Sequence, residues 1–281
     1  MDYKIIGEKL ELKATDDFVI KHICECGQLF RYECKNNYYK IIADQNCAYV
    51  YENYNNIVKI DSNNAKFFEN YFDFQNNYGI IKTRLALNPF LIEAINFGHG
   101  IRILNQDLLE VIINFIISQN NNIPRIQKTV TQLCIDLGKN FGEYFGFPSL
   151  NALKQMNEKY FISIGAGYRA KYLVSTINDL INFDFETIKH GETNDIRNRL
   201  MNFLGIGRKV ADCILLFGVH RRNVFPVDTW MDKVLTDNFN LEGTRKLKSN
   251  YMEEKYKDLA GYLQQYLFYY RRNCLKFKEE R

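Results

Sequence analysis

Residues 203–233, FLGIGRKVADCILLFGVHRRNVFPVDTWMDK, decide how the rest of the chain is read. Gly205 and Gly207 stand one residue apart, which allows positive φ and leaves backbone N–H groups uncovered by side chains. A turn that must approach a phosphate closely needs both properties. Val210, Cys213, Ile214 and Phe217 follow at i, i+3, i+4 and i+7, the spacing of a helix that buries one stripe. Upstream, Ile196, Leu200 and Phe203 form a second stripe at helical spacing, so the unit reads as helix, glycine-rich hairpin, helix. Lys209 falls in the first turn of the second helix, where the helix dipole and the adjacent Arg208 both disfavour the ammonium form. A neutral amine at that place is a nucleophile. Asp228 follows Pro226 in a segment whose Val224, Phe225 and Val227 predict a partly desolvated carboxylate. Taken locally, a plain turn and a solvated lysine at a helix start fit the same residues, and the pattern alone leaves both readings open.

The stretch resembles the helix-hairpin-helix and Gly/Pro-Asp signature of the base-excision DNA glycosylase superfamily, HhH-GPD. That resemblance implies that Gly205-Ile206-Gly207 is the hairpin, Lys209 the catalytic lysine and Asp228 the essential aspartate. There are two departures. Leu204 stands where many members carry proline, and Trp230 stands where the family commonly has a histidine that contacts a phosphate near the lesion. An indole N–H can donate one hydrogen bond there but brings no charge.

The 281 residues suffice for one large or two modest domains with a substantial core. Hydrophobic residues at 46% and charged residues at 25% are ordinary for a globular chain, whereas 15% aromatic is high and offers faces on which a base can stack. A formal charge of +4, from 37 basic and 33 acidic residues, does not by itself mark a nucleic-acid binder; a local basic face is required. Seven cysteines without regular spacing argue against a disulfide framework and for a reducing compartment. Cys24 and Cys26 are too close together, and too far from other ligands, to form a zinc half-site. Only Cys274 lies beyond Cys213, so the four-cysteine iron–sulfur cluster of some superfamily relatives cannot form; no metal and no cofactor is expected. Neither a signal peptide nor a membrane span is evident. The expected location is inside the cell, in a bacterial cytoplasm or a nucleus, with no membrane partner and no secretion.

Along the chain, residues 3–59 carry short strand-like runs at 30–32, 38–43, 48–51 and 57–60, separated by Asn36-Asn37, Gln45-Asn46 and Tyr54-Asn55-Asn56. These predict an antiparallel meander. Helices are predicted over 64–71 and 80–97, with a domain junction at Gly98-His99-Gly100, where His99 reads as a solvated loop residue. The domains are then 1–99 and 100–281. Leu108 to Ile117 is apolar nearly all round and belongs at the centre of the second domain. It runs into Ser118-Gln119-Asn120-Asn121-Asn122, a polar loop before a helix with Pro124 at its start. Ser149 is positioned to cap another helix, and Gly165 to Tyr172 interleaves two cations and two aromatics on a glycine-rich turn, suited to phosphate contact and stacking. Leu259 to Tyr270 is an aromatic-rich helix in which Gln264 and Phe268 share a face.

Six motifs between Gly27 and Arg272 fall in the order found in the 8-oxoguanine DNA glycosylases. The resemblance implies an α+β fold, with an N-terminal antiparallel β-sheet domain (TBP-like) packed on an all-helical HhH-GPD domain. It makes Gly27 the residue that reads the damaged base through its backbone carbonyl, Gln264 the amide on the base's Watson–Crick edge, and Phe268 and Cys213 the two walls of the pocket. Asn120 would fill the hole left in the duplex, Tyr168 would wedge beside it, and Arg125 and Arg169 would read the orphaned cytosine. Gly205 and Gly207, with Trp230, would hold the strand. The implied activity is excision of 8-oxoguanine from duplex DNA with AP lyase action through a Lys209 Schiff base, by a monomer in base excision repair. A glycosylase for another damaged base, and a non-catalytic helix-hairpin-helix DNA-binding protein, are the competing readings; the second has no use for Lys209 and Asp228 together.

Overall fold

The computed structural model describes residues 2–13, 17–52 and 57–279. Among them, six strands form one antiparallel sheet: β1 (Tyr3–Ile6), β2 (Lys9–Lys13), β3 (Tyr32–Lys35), β4 (Tyr38–Ala43), β5 (Asn46–Glu52) and β6 (Ile57–Ser62). The order across the sheet is β1-β2-β6-β5-β4-β3. Strands β3 to β6 are the predicted meander, and the β1–β2 hairpin adds to the far side of β6, with Leu10 opposite Ile60 and Leu12 opposite Val58. The expected turn at Tyr54-Asn55-Asn56 lies outside the described residues. Strand periodicity turns Leu10, Leu12, Ile41, Ala48, Val50, Val58 and Ile60 to one buried face. Helices α1 (Ile20–Glu25) and α2 (Ala65–Tyr71) belong to that core through Ile20, Ile23, Phe68 and Tyr71. Helix α1 interrupts a region that reads as strands throughout; its six residues are too few to establish a helical period against the surrounding alternation.

The predicted helix over 80–97 is two helices, α3 (Tyr78–Leu85) and α4 (Pro89–Phe97). Pro89 cannot continue a preceding helix but suits the first turn of a new one, and Asn88 caps it by accepting from the Leu91 N–H at 3.0 Å. The body that follows contains α5 (Leu108–Ile117), α6 (Ile123–Leu137), α7 (Leu150–Lys154), α8 (Glu158–Ser163), α9 (Ala170–Leu180), α10 (Phe185–His190), α11 (Thr193–Met201), α12 (Arg208–Phe217), α13 (Thr229–Phe239), α14 (Arg245–Tyr256) and α15 (Ala260–Glu279). Helix α5 is buried from Glu110 to Ile117, as its all-round apolarity predicts. Tyr78, Ile81, Leu85, Leu91 and Ala94, all on the N-terminal side of residue 99, pack in the helical core, while Leu104 packs in the sheet core. Core membership therefore crosses the 99/100 junction rather than changing there. His99 lies in the turn after α4, as expected, but is half-buried rather than fully solvated: its Nδ1 lies 3.0 Å from the Asn96 carbonyl and its ring meets His22 edge-on at 4.9 Å.

A buried ion pair ties sheet to helices. Arg31 Nη1 lies 3.1 Å from Glu110 Oε2 on α5, and that oxygen also accepts from the Asp44 N–H at 2.9 Å. The second terminal nitrogen of Arg31 donates to the Phe145 carbonyl, so both charges are satisfied away from water.

Candidate active site

The hairpin sits between α11 and α12. Gly205 has φ +83°, and a Cβ there would lie 2.5 Å from the Tyr172 ring, so both backbone and space demand glycine. Gly207 differs from the expectation of positive φ: at φ −87° and ψ 176° it is the extended N-cap of α12. A Cβ on Gly207 would meet nothing within 4 Å, and no side chain caps the helix, so the first N–H groups of α12 are uncovered. Leu204, in place of the usual proline, is 50% exposed beside them.

Lys209 is half-buried in the first turn, with Nζ 5.5 Å from the centroid of Phe115 on α5. Phe115 is held in turn by stacking on Phe217 at 5.4 Å and by an edge contact to Phe30 at 5.9 Å. Arg208 does not crowd Lys209. Its guanidinium turns to the buried Asp212 (3.5 Å) and the half-buried Glu253 (3.4 Å), where Arg197 joins the same carboxylates. One turn on, Cys213 is buried, and burial pushes its thiol up to about 11; Lys209 pulls it back while Asp212 and Asp228 push it further. Lys209 and Asp228 thus both act on Cys213. Asp228 is the N-cap of α13: Oδ1 accepts from the Met231 N–H at 2.8 Å, which fixes the carboxylate while the residue stays partly open to solvent. Buried Phe225, Pro226 and Val227 carry it there, the partial desolvation that their apolarity predicts. Trp230, two residues later, is 46% exposed on the first turn of α13.

The two ends of the chain meet at Gly27. This residue has φ +83°, and a Cβ on it would come 2.9 Å from Phe268 Cε1 on α15. Gln264, one turn before Phe268, is buried; its Oε1 accepts from Gln265 Nε2 at 2.8 Å, which leaves its own Nε2 with no partner among the described residues. Cys213, Gln264, Phe268 and Gly27 come from three distant parts of the sequence.

The remaining residues gather on a second cluster around the asparagine-rich loop between α5 and α6. Asn120 is left-handed at φ +45°, a conformation asparagine tolerates better than most residues, and Asn122 caps α6 by accepting from the Arg125 N–H at 3.1 Å. The Arg125 side chain is exposed and has no partner among the described residues. Tyr168 is 51% exposed, donating to the Gln119 carbonyl at 3.3 Å. Arg169, expected to offer its donors to a base, spends them here on the protein: Nε donates to Gln119 O at 2.6 Å, Nη2 to Asn120 O at 2.8 Å and Nη1 to Ala166 O at 3.1 Å. Its guanidinium lies 4.5 Å from the Tyr168 ring centroid. Tyr172 joins both clusters, packing beneath Gly205 and meeting Tyr168 edge-on at 5.9 Å. Sequence reasoning counted Tyr172 only as one aromatic of a patch and Phe115 only as one apolar residue of the central helix; the i, i+4 spacing of Tyr168 and Tyr172 was the available signal for the first.

The profile of the 8-oxoguanine DNA glycosylase N-terminal domain matches residues 9–112. A solved Clostridium acetobutylicum 8-oxoguanine glycosylase/lyase, in complex with dsDNA containing cytosine opposite to 8-oxoG, is 35% identical, with a TM-score of 0.91 over 98% of this chain and 100% of that one. The chain belongs to the 8-oxoguanine DNA glycosylase family. Among curated relatives, the N-glycosylase/DNA lyase OGG1 of Arabidopsis thaliana is 37% identical over 64% of this chain and 54% of its own length. The N-glycosylase/DNA lyase of Saccharomyces cerevisiae is 34% identical over 52% of this chain and 44% of its own. The chain thus matches about half the length of these two relatives. Family membership accounts for the α+β architecture, a sheet domain on a helical body, and for the order of the motifs.

Proposed function

We propose that this chain excises 8-oxoguanine from duplex DNA and then cleaves the strand as an AP lyase. The observation that supports the reading is that Lys209 and Asp228 both act on the buried Cys213, while Gly27 and Phe268, from opposite ends of the chain, lie against each other.

A base inside a duplex is out of reach of any side chain and must be extruded, at a cost of a few kcal/mol in lost stacking. Asn120 and Tyr168 offset that cost by occupying the gap, and Arg125, exposed and without a side-chain partner among the described residues, pairs with the orphaned cytosine. Arg169 joins it once the Gln119 and Asn120 carbonyls release its donors. The uncovered N–H groups behind Gly207 take a phosphate, with Trp230 on the neighbouring helix start. The extruded purine lies between Phe268 and Cys213, its Watson–Crick edge on Gln264. The Gly27 carbonyl discriminates by lone pairs: 8-oxoguanine carries a hydrogen on N7, whereas guanine presents an acceptor there. As the glycosidic bond breaks, Asp228 stabilises the positive charge that develops on the sugar, and Lys209 attacks C1′. The resulting Schiff base permits loss of the 3′ phosphate by β-elimination. Nothing in these steps requires a second subunit, so the active form is a monomer acting inside the cell, where its substrate is.

The test uses duplexes with 8-oxoguanine, guanine or an oxidised pyrimidine opposite cytosine, with released bases identified by mass spectrometry. The reading expects selective release of 8-oxoguanine, and Gln264→Ala should erode its preference over guanine. Preferential release of the pyrimidine, with Gln264→Ala indifferent, would establish the alternative substrate.

A further inference from the structure

A base read by a backbone carbonyl has no side chain to adjust it. The precision of the reader is then the precision with which its peptide is held, and the residue that holds it should show a full set of bonds to both halves of the protein. Gln28, next to Gly27, is such a residue. It is 0% exposed, although glutamine is among the side chains most often left in water. Its Nε2 lies 2.8 Å from the Arg102 carbonyl and 3.1 Å from the Ile23 carbonyl, and its Oε1 accepts from the Leu104 N–H at 2.9 Å. The Gln28 main-chain carbonyl accepts from Gln106 Nε2 at 2.9 Å.

Gln106 carries the link onward. Its N–H donates to the Phe217 carbonyl at 3.1 Å, and its carbonyl lies 3.0 Å from His220 Nε2. Phe217 is the last residue of α12, the helix that holds Lys209 and Cys213. A hydrogen-bonded path therefore runs from the peptide at 27–28, through Gln106, to the helix that carries the chemistry. The mechanism above uses neither glutamine, yet both are buried and bonded on both sides.

We propose that Gln28 is a positioning residue for selectivity: with Gln106 it sets the Gly27 carbonyl against α12 and so governs the preference for 8-oxoguanine over guanine without touching either base. This rests on the reading of Gly27 as the residue that senses the base. Removing the amide leaves the Arg102 carbonyl and the Leu104 N–H without their Gln28 partner and the Ile23 carbonyl with only the Cys26 thiol, and the peptide moves to recover bonds. A misplacement near 1 Å is enough to cost on the order of a hundredfold at a reacting or reading group.

The readout is a ratio within each protein preparation, so that loss of folded material cancels. Excision of 8-oxoguanine opposite cytosine is compared with nicking of an abasic site opposite cytosine, which needs Lys209 but no base reader; excision of guanine is followed in parallel. In Gln28→Met the 8-oxoguanine to abasic ratio should fall about tenfold to a hundredfold, with abasic nicking held within about twofold. Gln106→Leu, which leaves Gln28's side-chain bonds in place, should move the ratio in the same direction by less, and it carries the test if Gln28→Met does not fold. A ratio unchanged in both variants, or two rates that fall in parallel, overturns the role given to Gln28. A wild-type protein that nicks abasic DNA but never prefers 8-oxoguanine overturns the reading of Gly27 instead, and this inference with it.

Discussion

In the proposed mechanism Asp228 has two duties that a single substitution separates. As the N-cap of α13 it accepts from the Met231 N–H, and asparagine caps a helix about as well as aspartate. As a carboxylate beside Cys213 it supplies charge. Asp228→Asn should keep the stability of the fold within about 1 kcal/mol. It should lower base excision by roughly 10²–10³, the usual cost of removing a charge aimed at a transition state, in single-turnover assays. The lysine, the aspartate and their apolar setting were legible in the sequence because hairpin, stripe and Pro-x-Asp are local patterns. The support of Lys209 by Phe115 was not, because the aromatic comes from α5, far away in the chain, and looks there like any other core residue.

At the scale of elements, the two hairpin glycines should behave differently. Gly205→Ala must place a methyl group into the Tyr172 ring at positive φ, so it should destabilise by more than about 1 kcal/mol in urea unfolding. Gly207→Ala meets open space at an ordinary φ. It should leave stability nearly unchanged while weakening binding to damaged and undamaged duplexes alike, as mobility-shift titrations would report, because phosphate contacts carry no sequence information. The sequence suggested positive φ for both; only the structure separates the strained glycine from the helix cap. Helix α1 offers a pH prediction. Burial, with His99 and Lys21 nearby, lowers the His22 pKa to about 4, against an ordinary value near 6.5. Tyr269 packs on the same ring at 5.3 Å. A histidine whose folded pKa is depressed takes up protons in the unfolded state first, so stability is full above about 6.5 and lost as the pH falls toward 4. Thermal unfolding between pH 7 and pH 4.5 should show this slope, reduced in His22→Gln.

Across the whole molecule, buried polar contacts join the sheet region to the helices. Arg31 and Glu110 are both buried; burial pushes the Glu110 carboxyl up and the guanidinium pulls it back down. Arg31→Met would strand that carboxylate, a loss of about 3–5 kcal/mol in denaturant unfolding, and adding Glu110→Leu should recover part of it. The sheet, the helical body and the order of the motifs follow from alternation, helical stripes and family resemblance. The sharing of core residues across position 99 follows from packing between segments distant in sequence, which no local window contains, whereas the break at Asn88-Pro89 is a local cap-and-proline signal and helix α1 is too short to show a period. In the proposed function the base-reading residues Gly27 and Gln264 come from opposite ends of the chain and the chemistry passes through one lysine, Lys209. Borohydride reduction during incubation with a duplex bearing 8-oxoguanine opposite cytosine tests this most directly. The account predicts a covalent protein–DNA complex that is abolished in Lys209→Gln; a complex that persists in Lys209→Gln, or none with the wild-type chain, would contradict it.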